Sequence, residues 1–452
     1  MKLRCHSLIP LLALVPLLAA GQMGSSPADV SPAPATNALT LEQSFEMALD
    51  SNEESKLADL AVKESALLPW RSLSVVFPQV QANASRMYPE EEILGETGSA
   101  VVADPTDRAS IRLSQALFNS DALASYRSSR YLNYAALDDR VFRLRDLLFR
   151  VADTYISYLK LQQIVGISRE TLKLAQEQRH TALARFDAGQ VPKTDLLRAE
   201  VEVSRTEREL EIAQNAQRLG RTQLCLLIGA DDQPLTAQTP AEMTGASFDD
   251  EATLEKLIRT ATEQRDDLKR AVNQRDAARW VLRGARMTYL PKLSVDLEQT
   301  WADPASLSQP ESFWTATLRA NLPLFEGGSR RLDIKQARYR LEQSELVYSQ
   351  LVKTVHLQVT EAWLRSKTAK ALLESNRKEL DLAAENYDVV FKRYEAGQAT
   401  SLDLIDAFTQ LSRARISVAN FTFDYQVSLL NLLTQIGSFG ESYVADKKSE
   451  SR

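Results

Sequence analysis

The sequence predicts a mainly α-helical chain with a membrane β-barrel part, in which one unit of two strands and a long helical hairpin is used twice. Three observations lead there. Glycine is scarce, at 15 of 452 residues against a usual share of about 7%, while Ala, Leu, Glu, Gln and Arg, which favour helices, fill the chain. Two stretches, about 119–186 and 329–394, contain no proline and only Gly166 as a breaker. Ahead of each, short segments alternate apolar and polar residues with a period of two, the mark of strands.

Composition also removes whole classes of function. A net charge of −6, from 54 Lys+Arg against 60 Asp+Glu, with no basic block, argues against nucleic acid, whose binders cluster cations to displace counterions. Cys5 and Cys225, with His6, His180 and His356 scattered, provide neither a disulfide framework nor a thiolate metal site. GxGxxG, a nucleophile elbow and a phosphate loop are absent. No cofactor, metal or catalytic residue is expected, and the chain does not read as an enzyme.

From the N-terminus, Lys2 and Arg4 precede an apolar run, Leu8 to Ala20, that closes on Ala19, Ala20 and Gly21; this is an export signal over 1–21. Residues 22–38, rich in Pro, Ser and Ala, read as a disordered linker. No later stretch has 18 uncharged apolar residues, so no membrane-spanning helix is expected. The first repeat is read over 39–230, with strands at about 75–88 and 107–118 and a hairpin over 119–229. Val80, Ala82 and Ala84 alternate with Gln79, Gln81, Asn83 and Ser85, and Ala109, Ile111 and Leu113 with Ser110, Arg112 and Ser114. The acidic loop between them, Tyr88 to Asp107, reads as solvated. A linker over 231–250 leads to the second repeat over 251–437, with strands at about 290–301 and 312–323 and a hairpin over 329–436. Residues 438–452 form a tail.

The duplication is visible in the hairpins. RFDAGQVPKTDLL at 185–197 returns as RYEAGQATSLDLI at 393–405, and one constant offset relates Gly189 to Gly397, Asp195 to Asp403 and Gly229 to Gly437. Gly189 and Gly397 suit the left-handed position that ends a helix, and Thr194, or Thr400 and Ser401, can cap the next. In the return helices a 3.5 period runs through Leu196, Ala199, Val203, Thr206, Leu210, Ala213, Gln217, Gly220, Leu224 and Leu227. The second copy has Leu404, Ala407, Leu411, Ala414, Val418, Phe421, Tyr425, Ser428, Leu432 and Gln435. This is a coiled-coil seam.

Alternation alone fits a soluble sheet with one face on a core. Strands of about 10 residues that cross a tilted bilayer, and Arg112, Asp296 and Arg319 on the polar face, suit a water-filled lumen instead. Four strands leave open edges that hydrocarbon does not tolerate. Several chains must therefore pool strands, and three give about twelve.

The exported start, LTLEQSFEMALDSN at 39–52, LFEGGSRR at 324–331 and the two hairpin tips resemble TolC-type outer-membrane efflux proteins across nearly the whole mature chain. The resemblance implies a homotrimer with a twelve-stranded barrel in outer-membrane lipid and a helical tunnel through the periplasm. It implies docking onto a periplasmic adaptor protein and an inner-membrane transporter, with the adaptor meeting Gly189, Gln190 and Val191, and Gly397, Gln398 and Ala399. In that family, aspartates after the second tip line the periplasmic entrance. Asp403 and Asp406 match them, Asp195 matches in the first copy, and Tyr394 matches an aromatic that helps hold the entrance shut. Ala399 departs from the family, whose best-known member has there an arginine linking neighbouring helices.

Without the family, Asp403 and Asp406 lie one turn apart on one helix face, and a single Asp near a helix start is a cap or a dipole partner. Threefold repetition would set six carboxylates around one axis, raising their pKa and attracting cations. A passive outer-membrane conduit is the leading reading. An exported coiled-coil scaffold or adhesin is the alternative, and it requires the apolar sheet faces to meet a core.

Overall fold

The structure, a computed structural model, describes residues 38–88, 93–94, 100–102, 106–230, 236–237, 251–303, 310–440 and 443. The expected leader, the linker as far as residue 37, most of the acidic loop and the end of the tail lie outside the described residues. The first half comprises β1 (Ala38–Leu39), α1 (Leu41–Ser51), α2 (Glu53–Ser74), β2 (Gln79–Met87), β3 (Ile93–Leu94), β4 (Ala100–Val102), β5 (Thr106–Phe118), α3 (Ser120–Asp187) and α4 (Lys193–Ile228). The second comprises β6 (Thr236–Ala237), α5 (Glu251–Gln264), α6 (Asp266–Met287), β7 (Lys292–Asp303), β8 (Ser312–Asn321), α7 (Ser329–Glu395) and α8 (Ser401–Ile436).

The long helices are unbroken. α3 has 68 residues and α7 has 67, so each is about 100 Å long at 1.5 Å per residue. Gly166 sits inside α3 without ending it. Each hairpin closes along its seam, and none of the seam residues named above is exposed.

Two features were not read from the sequence. Each half opens with a short helix followed by one of 22 residues, α2 or α6. In α1 this start is specified locally: Gln43 N–H donates to Thr40 Oγ1 at 3.2 Å, and Thr40 N–H donates back to Gln43 Oε1 at 3.0 Å, a capping box. Phe45, Ala48 and Leu49 of α1 then join Leu144, Leu148, Val151 and Tyr155 of α3 in the larger apolar core. Tyr155 is fully buried, and its hydroxyl donates to the Leu39 carbonyl at 2.7 Å. In the second half Leu257 and Ala261 of α5 join Val355, Val359 and Trp363 of α7 and Leu432 of α8. Further, part of the expected linker is ordered structure, because β6 pairs in parallel with β1. Gly284 of α6 lets two backbones close up, since a Cβ there would lie 2.6 Å from the Ala124 Cβ of α3.

The strands form an antiparallel sheet in the order β2-β5-β7-β8. Its register separates the faces. One row across all four strands is Val80, Leu113, Leu297 and Ala316, and the next is Gln81, Arg112, Glu298 and Thr315. The apolar face is bare: Leu318 is 72% exposed, Trp314 71% and Val80 68%. A soluble sheet would cover that face, and among the described residues no core lies beneath it. β2 and β8 leave both edges unpaired among the described residues.

Candidate functional site

The hairpin tips are built by the same device twice. At the end of α3, Gly189 has φ +71°; its N–H donates to the Phe186 carbonyl, and Gln190 N–H donates to the Arg185 carbonyl, both at 2.9 Å. At the end of α7, Gly397 has φ +72°, with Gly397 N–H to Tyr394 O at 3.0 Å and Gln398 N–H to Arg393 O at 2.8 Å. These are Schellman closures, which need a residue at ease in the left-handed region. Apart from the adjoining residues of the chain, no described atom lies within 4 Å of a Cβ built on either glycine, so backbone angle, not space, selects glycine. Gly189, Gln190, Gly397 and Gln398 are exposed, and Val191 and Ala399 half-buried.

The return helices start differently. α8 begins in a capping box: Asp403 N–H donates to Thr400 Oγ1 at 3.2 Å, and the Thr400 N–H and hydroxyl donate to Asp403 Oδ2 at 2.9 and 2.7 Å. Those donors hold the Asp403 carboxyl below its ordinary range. α4 begins at Pro192 without a side-chain cap, so Thr194 does not cap it as expected. Asp406 is exposed, one turn further along α8 than Asp403.

Side chains tie the two hairpins together. Arg185, in the last turn of α3, donates to the Tyr394 carbonyl at 2.9 Å and the Glu395 carbonyl at 2.8 Å. Its guanidinium lies 4.8 Å from the centre of the Tyr394 ring, and Tyr394 is buried. A cation is favoured at the negative end of a helix and over an aromatic face. On the return helices, Ser401 Oγ donates to Asp195 Oδ1 at 2.8 Å, and Arg198 donates to Ser401 Oγ at 3.2 Å. Farther from the tips, Gln178 donates to the Tyr387 hydroxyl at 2.9 Å, and burial pushes that hydroxyl's pKa up. Of the expected entrance residues, Asp195 and Tyr394 therefore join the inter-hairpin contacts, whereas Asp403 caps its own helix. Arg185 and Arg198 were missed, although Arg185 and Arg393 open the repeated motif, and Ser401, expected as a cap, reaches across to Asp195 while Thr400 caps α8.

At the other end of the long helices, Arg112, Asp296 and Arg319 share the polar sheet face. Arg112 pairs with Glu298 at 2.8 Å, Ser114 donates to Asp296, and Arg319 lies 3.9 Å from Asp296.

Comparison with known proteins agrees with this architecture. Residues 73–230 and 257–438 match the family described as outer membrane efflux protein, one span for each repeat. Outer membrane efflux protein BepC of Brucella suis is 23% identical over 350 residues, covering 74% of this chain and 72% of that protein. Alkaline protease secretion protein AprF of Pseudomonas aeruginosa is 24% identical over 345 residues, covering 74% and 70%. Among solved structures, the Campylobacter jejuni CmeC outer membrane channel superposes with a TM-score of 0.76 at 17% identity, covering 91% of this chain and 89% of that one. Duplicated hairpins, a bare-faced four-stranded sheet and a family match over both halves lead to one assignment: the chain belongs to the outer membrane efflux protein family.

Proposed function

We propose that three copies of this chain pool their sheets into a twelve-stranded barrel and their hairpins into a periplasmic tunnel, which serves as a passive exit duct. The observation that carries this reading is the sheet: among the described residues its apolar face is uncovered and both of its edges are open. Hydrocarbon accepts such a face and refuses such edges, so closure has to come from other copies. The polar face, with Arg112, Asp296 and Arg319, lines the lumen. The tunnel performs no chemistry, and transport is driven by an inner-membrane transporter through a periplasmic adaptor that docks at Gly189–Val191 and Gly397–Ala399. Relatives named for efflux and for protease secretion support a duct for small molecules or proteins.

The periplasmic entrance lies at the hairpin tips, where Asp403 and Asp406 of three chains form a ring of carboxylates, with Asp195 and Tyr394 behind it. Such a ring favours cations. Single-channel recording of the mature protein in planar bilayers tests this. Discrete cation-selective steps are expected, with selectivity reduced in Asp403→Asn plus Asp406→Asn. A protein that stays soluble without detergent and gives no steps would sink the duct.

A further inference from the structure

We infer that the joint between neighbouring chains at the entrance repeats the joint within a chain, with Lys193 of the partner subunit held by Asp403 and Asp406. The inference rests on the trimeric reading above and goes beyond it by naming the contacts.

Within one chain, the first hairpin offers Arg185, Asp195 and Arg198, and the second receives them at the Tyr394 and Glu395 carbonyls and at Ser401. The duplication places Arg393, Asp403 and Asp406 of the second copy where Arg185, Asp195 and Arg198 stand in the first. It likewise places Phe186, Asp187 and Lys193 where Tyr394, Glu395 and Ser401 stand. In a ring of six alternating hairpins, each second hairpin faces the first hairpin of the next chain as a first hairpin faces a second one within the chain. Arg393 then reaches the carbonyls of Phe186 and Asp187 of the partner subunit.

The residues that differ between the copies differ in a matched way. Ser401, a neutral hydroxyl, is held by one acceptor, Asp195, and one donor, Arg198. Its counterpart Lys193 has donors only, and the two groups placed to hold it, Asp403 and Asp406, are both carboxylates. The exchange of Arg198 for Asp406 thus accompanies the exchange of Ser401 for Lys193. Asp403 uses only Oδ2 in its own cap, which leaves Oδ1 for a partner. Lys193 and Arg393 are exposed; Lys193 has no ion pair or side-chain hydrogen bond among the described residues, and Arg393 makes none either, although its charge helps to keep Asp403 of its own chain ionised. Lys193 is moreover the first residue of α4, where a cation opposes the helix dipole. A contact with the next chain gives it a role that the isolated helix does not.

Paired cysteines test the joint in the full-length trimer, in a Cys225→Ser background. Lys193→Cys with Asp403→Cys is expected to give oxidised dimers and trimers on a non-reducing gel. Asp195→Cys with Ser401→Cys should cross-link within the chain and leave the mass unchanged. A protein that is trimeric by light scattering but gives no ladder from the first pair overturns the joint and leaves the duct standing; a monomeric protein overturns the trimer itself. Charge exchange gives a second readout. Lys193→Glu should raise the resting conductance, and adding Asp403→Lys should lower it again; no rescue counts against the pairing.

Discussion

At the scale of single residues, the tips depend on hydrogen bonds that charge and backbone angle make specific. Asp403 closes the cap of α8 most strongly while ionised, because its carboxylate accepts from the Thr400 N–H and hydroxyl. Its folded pKa lies below the ordinary value of 3.8. The contribution is therefore complete above that value and is lost as pH falls through the lower, folded one. Hydrogen exchange at the Thr400 amide, corrected for intrinsic rate, should stay slow at pH 5 and speed up under strong acid. In Asp403→Asn it should lose most of that pH dependence. Arg185 is the other tip residue with a measurable role, since it holds two carbonyls and covers Tyr394. Arg185→Ala should loosen the hairpins and raise the resting conductance, whereas Arg179→Ala on the same helix should not.

Among the elements, the sheet and the helices meet different solvents. Leu318 and Thr317 are neighbours on β8, yet the register puts Leu318 on the bare apolar face and Thr317 beside Asp296. Leu318→Arg should cost about 2–4 kcal/mol if it lies near the bilayer midplane, read as reduced barrel stability in denaturant. Thr317→Arg faces the lumen and should leave stability nearly unchanged. The helices face water and one another, so their stripes are narrow and their cores local. Phe45 and Tyr155 belong to one such core and Leu257 and Trp363 to another, where the short helices pack on the long ones.

For the whole molecule, the duplicated unit is the source of the architecture. Among its described residues, one chain has an unclosed sheet and two hairpins whose tips are already tied to each other. The exposed Lys193 and Arg393 and the open strand edges then point to the same remedy, further copies of the chain.

Alternation over β2, β5, β7 and β8, the proline-free runs of α3 and α7 and the paired tip motifs were legible in the sequence because each is a local rule, set by side-chain period or by one glycine's backbone freedom. Helices α1, α2, α5 and α6 were not read, although α1 carries a local start signal in Thr40 and Gln43; what no local rule tells is that their apolar faces meet Leu148, Tyr155 or Val359 on helices far away in the chain. The inter-hairpin ties were hidden for the same reason: Asp195 and Ser401 are 206 residues apart, and no spacing rule connects them. The sequence by itself determined the repeat, the period of each element and the turns. Only the tertiary structure decided that Asp403 caps its own helix while Asp195 reaches across to the other hairpin, because hydrogen-bond geometry depends on which helix ends are brought together in space.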